Sequence, residues 1–203
     1  MAHRGRPPLL SDDVILDRAL SMFASSGYSA MSVRALNAAL GLSHETVSKR
    51  FGSKSELFRL AVARGVTLLM ADFHEEWDRC ASRDDLERLH ATVRAFMVAS
   101  SRHPALGDLL HNDNIDAERR MIIIGQSGLG ERISDTAALL GRLHSAGVIR
   151  DIGIRELWFI TEGAVAPLRY PELSRMFDAI DGPVDGEKLI DRMSEAIMRS
   201  VMV

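Results

Sequence analysis

The sequence predicts an all-α chain: an N-terminal three-helix unit followed by a longer helical body. Three observations lead there. Apolar residues recur at helical spacing along most of the chain. Only six prolines occur, and strand-like β-branched runs are few. Residues that start and stop helices punctuate the periodic stretches at short intervals. A length of 203 residues allows one or two domains with a sizeable core, and ten methionines suit a helical core packed with flexible side chains.

Residues 1–10, MAHRGRPPLL, read as a flexible arm. Arg4 and Arg6 bracket a glycine in an extended segment that fits a narrow minor groove; a solvated tail is the alternative. Residues 11–55 form the expected three-helix unit. Ser11 opens its first helix, with Asp12 and Asp13 in the positive first turn. Ile15, Ala19, Met22 and Phe23 face inward, and Gly27 stops it.

The stretch 32–57, SVRALNAALGLSHETVSKRFGSKSEL, follows. Ser32 can cap a short helix whose stripe is Val33, Leu36 and Leu40, and Gly41 ends it in the left-handed conformation. Leu42 plugs the turn and Ser43 caps a helix over 44–51. That helix buries Val47 and Phe51 and exposes His44, Glu45, Thr46, Ser48 and Lys49. Two short helices with a glycine turn, the second with a polar face outward, make a helix-turn-helix that fits a B-DNA major groove. Ser53 and Glu56 then form a capping box, which leaves Lys54 at a helix N-terminus. A charge there opposes the macrodipole, and a phosphate would compensate it; a plain solvated lysine is the alternative.

Charge agrees with this placement. Residues 1–55 carry seven Lys/Arg against four acids, a net of +3, which leaves −6 on the remainder of a chain whose total is −3. A basic end on an acidic body is expected when one part alone meets phosphate. A single cysteine excludes an internal disulfide and a cysteine-based zinc site. No apolar run reaches the ~18 residues of a membrane span, and no apolar leader follows the first arginines. The chain is therefore expected in the cytoplasm.

The body, 56–203, continues the helical pattern. Leu57, Leu60, Ala61, Leu68, Leu69, Phe73 and Trp77 place one long helix over 53–80, on the order of 40 Å at ~1.5 Å per residue. Further helices are expected over 84–102, 105–124 with an interruption near Asn112–Asn114, 131–146, 154–170 and 185–202. The Gly-rich stretch 125–130 reads as a joint, since no strand precedes it and no Lys-Ser/Thr ends it. Leu157, Trp158, Thr161 and Val165 form one late stripe, and Leu189, Met193, Ile197 and Val201 another. No catalytic motif is present, and His103 and His111 lack the spacing of a metal site beside Asp108 or Asp113. Neither a catalytic residue, a metal nor a cofactor is expected.

The stretch from Ser32 to Leu57 resembles the TetR family of transcriptional regulators. The resemblance rests on Ser32, Leu36-Asn37, Gly41-Leu42-Ser43, Thr46-Val47-Ser48, Phe51 and Ser53-Lys54. Asn37 stands where Ala is usual, Glu45 where Gly is common, and Ser48 where Tyr is common. The resemblance implies a homodimer on a palindromic double-stranded operator, released when a small-molecule effector enters the helical body. Arg34, His44, Glu45, Thr46 and Lys49 would then face base edges. Ser32, Ser48 and Lys54 would hold phosphates, while Arg4 and Arg6 lie in the minor groove. It further implies an effector pocket, for which Phe73, Trp77, Phe96, Met97 and Met121 offer adaptable walls, and a dimer interface on the two late stripes; plain core is the alternative for both sets. Two other classes remain open: a helical enzyme, and a module that docks a partner protein.

Overall fold

The computed structural model of the chain describes residues 10–80, 84–126 and 128–203. Among these residues the chain is all-α. The order is α1 (Asp12–Ala30), α2 (Val33–Ala39), α3 (Thr46–Phe51), α4 (Lys54–Cys80), α5 (Asp85–Arg102), α6 (Pro104–His111) and α7 (Ala117–Ile124). Then come α8 (Leu129–Ser145), α9 (Ile154–Arg169), α10 (Pro171–Ser174), a 3-10 turn (Arg175–Phe177), α11 (Asp178–Asp181) and α12 (Gly186–Val201). No described helix is long and apolar enough to cross a membrane.

The Ser11 hydroxyl accepts from the Val14 amide at 3.4 Å, and Asp12 and Asp13 occupy the first turn of α1. Gly27 interrupts the helix with φ 78 and ψ 164, a region that essentially glycine alone occupies, and one further turn carries α1 to Ala30. The kink stacks Tyr28 on Phe23 at 5.8 Å and edge-on to Phe58 of α4 at 5.4 Å. Such aromatic contacts add about 0.5–1.5 kcal/mol beyond the area they bury.

The rod α4 is fixed to α1 along its first half. Arg64 pairs with Asp13 at 3.0 Å and Asp17 at 2.6 Å, and Arg50 at the end of α3 pairs with Asp12. Close approach occurs at Gly65, where an added Cβ would fall 2.5 Å from Leu20 Cδ2 of α1 and 3.4 Å from Leu106 Cδ2 of α6. Three helices therefore meet at a position that has no room for a side chain.

Two hydrophobic cores share α5. The first joins α1–α3 to Phe58, Val66 and Phe73 of α4, Ala95 of α5, Leu106 of α6 and Ile123 of α7. The second joins Leu89, Val93 and Met97 of α5 to α8, α9 and α12. The first core runs past residue 55, so the N-terminal helices and the rod pack as one body.

The late stripes expected to pair two copies turn inward instead. Leu157, Thr161, Val165 and Ile197 are buried within the protomer. Trp158 packs on Phe96 with ring centroids 4.9 Å apart, while Leu189 and Met193 are half-buried. The reason is that α9 is apolar on both sides, so periodicity does not decide which side meets the protomer's own α5 and α12. Left outside are Phe159 and Ile160 of α9, with Leu173, Met176, Phe177 and Ile180 of the short helical turns after it; Phe159 is 61% and Ile180 82% exposed.

Candidate nucleic-acid interface and adjoining cavities

The helix-turn-helix forms from the residues that predict it, with one change of cap. Ser32 accepts from the Ala35 amide at 3.3 Å, Leu36 is fully buried, and Gly41 takes φ 64 beyond α2. The third helix begins at Thr46, two residues later than expected. Residues 44–45 form a turn, and the Ser43 hydroxyl meets the Thr46 hydroxyl at 2.7 Å rather than an amide. Asn37 supplies the missing cap from the neighbouring helix. It is wholly buried; its Oδ1 accepts from the Val47 amide at 3.2 Å, and its Nδ2 donates to the Val33 and His44 carbonyls at 3.1 and 3.0 Å. Val47 and Phe51 are buried beneath α3, so its opposite side is fixed outward.

On that side Ser32, Arg34, His44, Glu45, Ser48 and Lys49 are exposed and Thr46 is half-buried. Glu45 and Lys49 pair at 2.6 Å across one helical turn, both more than two-thirds exposed. Glu45 thus restrains the lysine that would meet DNA. Lys54 does not stand alone at the start of α4. Its Nζ donates to the Ser29 carbonyl at 3.1 Å and lies 4.8 Å from the Tyr28 ring centre, so the fold itself supplies the compensation otherwise assigned to a phosphate. The capping box is half made: Ser53 accepts from the Glu56 amide at 3.1 Å, but the Glu56 carboxylate turns to Arg59 at 2.6 Å. The arginine hydrogen bond holds that carboxylate below its ordinary range. Arg4 and Arg6 lie outside the described residues.

Comparison with known proteins agrees with this geometry. The family described as bacterial regulatory proteins, tetR family, matches residues 15–61. An HTH-type transcriptional regulator of Mycobacterium tuberculosis is 30% identical over 155 residues, covering 71% of this chain and 68% of its own. The chain belongs to the TetR family. This TetR-family protein is a DNA-binding transcriptional regulator. Among solved structures it is similar to the TetR family transcriptional regulator PfmR from Thermus thermophilus, 26% identical, with a TM-score of 0.58 over 91% of this chain and 97% of that one. A TetR-family member from Streptomyces coelicolor shares the fold, 20% identical, with a TM-score of 0.61 over 100% of this chain and 98% of that one.

Behind the DNA-facing unit, the regulator encloses two small adjoining cavities, of about 50 and 30 Å3. Leu69 of α4, Phe96 of α5, Leu129 of α8 and Trp158 of α9 line both, so the Phe96–Trp158 pair forms the partition. The larger one is apolar apart from Arg132 and the threonines, and takes Phe73 as a wall. The smaller one reaches His103, Glu162 and Arg169. Pockets that hold drug-sized ligands run to hundreds of Å3, several times the volume of either cavity.

The expected pocket residues divide. Phe73 and Phe96 are walls. Trp77 borders a neighbouring cleft instead. Met97 is fully buried in the second core, and Met121 is 62% exposed on α7, so neither reaches a cavity. Trp158, expected at a dimer interface, lies between the cavities. The sequence signal for it was only an indole on a helix with two apolar faces.

The smaller cavity connects to the DNA-binding end through α6. Arg169 of α9 pairs with Asp108 at 2.7 Å and Glu162 at 2.8 Å. Burial works against its charge, and the two carboxylates overcome that, raising the guanidinium above its ordinary value. Just past the C-terminal end of α6, Asn112 Nδ2 donates to the Ala24 carbonyl of α1 at 2.9 Å. His103 and His111 do not converge: His103 bonds Asp72 at 2.7 Å and His111 the Gly107 carbonyl at 2.8 Å. Among the described residues no group of three or more His, Cys, Asp or Glu can hold a metal.

Proposed function

We propose that this regulator is a cytoplasmic homodimeric repressor whose residues 11–55 read a palindromic operator and whose residues 56–203 dimerise and bind a small-molecule effector. The observation that carries the reading is the outward polar side of α3, held from beneath by Val47, Phe51 and the Asn37 bridge. Arg34, His44, Thr46 and Lys49 face base edges; Glu45 either accepts from a cytosine amino group or releases Lys49 to the DNA. Ser32 and Ser48 hold phosphates, Lys54 exchanges the Ser29 carbonyl for one, and Arg4 and Arg6 follow the minor groove. Two copies pair through Phe159, Ile160 and the apolar residues of 171–181, since this part of the chain gathers most of the large apolar side chains exposed among the described residues, and exposed apolar surface marks interaction sites. Effector entry parts Phe96 from Trp158, and the movement reaches α1 through α4 and α6. Half-sites about one helical turn apart, ~34 Å, then no longer match the two heads.

Genome-wide footprinting of the purified protein, followed by binding to a recovered site over a salt series, tests this. The expected outcome is a palindromic footprint, a steep fall of log affinity with log salt, and weaker binding by Lys49→Ala with the oligomeric state unchanged. A salt-insensitive interaction, or a footprint without two-fold symmetry, would overturn it in favour of a protein-docking module.

A further inference from the structure

Among the described residues, two buried side-chain nitrogens have no hydrogen-bond partner: Trp77 Nε1 and Arg132 Nε. The side chains that carry them, Trp77 and Arg132, both line one cleft of about 190 Å3 between α4, α5 and α8. The Arg132 guanidinium lies 5.5 Å from the Trp77 ring centre and 5.2 Å from that of Phe73. Its other nitrogens have only weak company, His74 Nε2 at 3.4 Å and the largely exposed Asp135 at 3.9 Å. Arg88 and Arg142 border the same cleft and share Asp85, at 3.4 and 2.9 Å. The cleft also shares Thr92, Arg132 and Thr136 with the larger apolar cavity, so a cationic mouth leads to an apolar interior.

An indole N–H and a guanidinium N–H can only donate. Two buried donors without an acceptor, carried by neighbouring side chains that line the cleft beside an apolar chamber, are complementary to an acceptor-only anion attached to an apolar body that reaches them as it enters. A neutral alcohol satisfies them less well, and an amine opposes them. We propose that the regulator binds an amphipathic organic anion, its carboxylate or phosphate accepting from Trp77 Nε1 and Arg132 Nε and its apolar part passing Thr92 and Thr136 toward Phe96 and Trp158. This names the chemical class of the effector and rests on the effector reading above for its regulatory consequence. The anion neutralises Arg132 while its body widens the closed chamber from the α4 side.

The chain's two tryptophans, Trp77 and Trp158, both border this path, so intrinsic fluorescence reports occupancy directly. Full-length protein would be titrated with hexanoate, decanoate and decyl phosphate, with the matched alcohols, and with inorganic phosphate. An anion is expected to bind at least about tenfold more tightly than its alcohol, as one charge-assisted hydrogen bond supplies. Inorganic phosphate, lacking the body, is expected to bind more weakly than decyl phosphate. Arg132→Gln should erase the preference for the anion, and Trp77→Phe, which keeps the ring and deletes the donor, should reduce it. Carboxylate and phosphate arms distinguish the two head groups. Alcohols binding as tightly as their acids, or both variants keeping the anion preference, would overturn the site; Trp77→Phe preserves the test if Arg132→Gln fails to fold. Operator binding followed in parallel separates the two readings. An Arg132-dependent anion that leaves DNA bound sustains the site and removes effector release, whereas equal release by acid and alcohol removes the site and sustains release.

Discussion

Asn37 on α2 accepts from the Val47 amide on α3 at 3.2 Å, so one side chain joins both limbs of the helix-turn-helix. Because the same residue donates to the His44 carbonyl, it fixes the turn and the first turn of the DNA-facing helix together. Asn37→Ala leaves a buried amide and a carbonyl unpaired, and each such group costs about 1–3 kcal/mol. The variant is expected to unfold at distinctly lower urea concentration with an unchanged dependence on denaturant. Operator affinity should fall even where the protein remains folded, because α3 loses its fixed start.

Glu45 pairs with Lys49 in full solvent, and such pairs contribute about 0–1 kcal/mol to stability. If α3 meets DNA as proposed, this pair competes with the DNA for Lys49. Glu45→Gln removes a negative charge from the exposed side of α3 and releases the lysine. Stability should move by less than about 0.5 kcal/mol, non-specific affinity should rise, and the slope of log affinity against log salt should steepen by about one unit. Fluorescence anisotropy over a salt series measures both.

The legible and illegible parts of the chain differ in how local their causes are. Ser11, Ser32 and Gly41 act within a turn of themselves, so helix ends and the helix-turn-helix could be read in order. The rod could be read because its stripe runs unbroken past residue 55. Asn37 signalled only that a polar residue replaced an apolar one, since its partners Val33, His44 and Val47 come together only in the folded turn. The late stripes and the pocket walls were less legible for a related reason: burial in the protomer is decided by neighbours distant in sequence, which place Phe73 and Phe96 on a cavity but Met97 in a core. α9 presents apolar residues on both sides, and Trp158, Leu157 and Phe159 are told apart only by which side meets α5. Met121 sits exposed on a short helix one turn after the exposed Glu118, and two turns are too few for periodicity to tell its outward side from its inward one.

Gly27 is irreplaceable on two independent grounds. Its φ of 78 with ψ of 164 strains any side chain, by about 1–3 kcal/mol. An added Cβ would also stand 2.5 Å from the Asn114 Cβ, on the segment whose Asn112 bonds α1. Gly27→Ala is therefore expected to lose about 2–4 kcal/mol, combining strain with overpacking. Hydrogen exchange should localise the loosening to the end of α1 and to residues 112–116 rather than to α12.

Asp85 links the start of α5 to Arg142 on α8. The Arg142 hydrogen bond lowers its carboxyl below the ordinary 3.8, against the effect of burial and with Arg88 adding attraction. A lowered folded value means the linked stability is fully present above 3.8 and disappears as pH falls through the folded value. Asp85→Asn should therefore be less stable than the parent at neutral pH, and the two denaturation midpoints should converge as pH drops below about 4. Glu56 and Asp185, lowered by Arg59 and Lys188, remain in the variant, so its own acid limb shrinks without vanishing.

Ile180, in the turns after α9, and Phe159, on α9 itself, are large apolar side chains left exposed. A charge placed on such a surface opposes association by its desolvation and leaves the protomer's interior untouched, since neither residue belongs to a core cluster. Ile180→Glu and Phe159→Glu are each expected to yield monomers with parental helicity by sedimentation and circular dichroism. A single head then grips one half-site, so operator affinity should collapse by far more than the tenfold steps of a lost contact, because the second half-site no longer benefits from linkage. The same glutamates with dimers intact would place the interface elsewhere. Leu189 and Met193, half-buried at the inner edge of α12, would then be the next positions to charge.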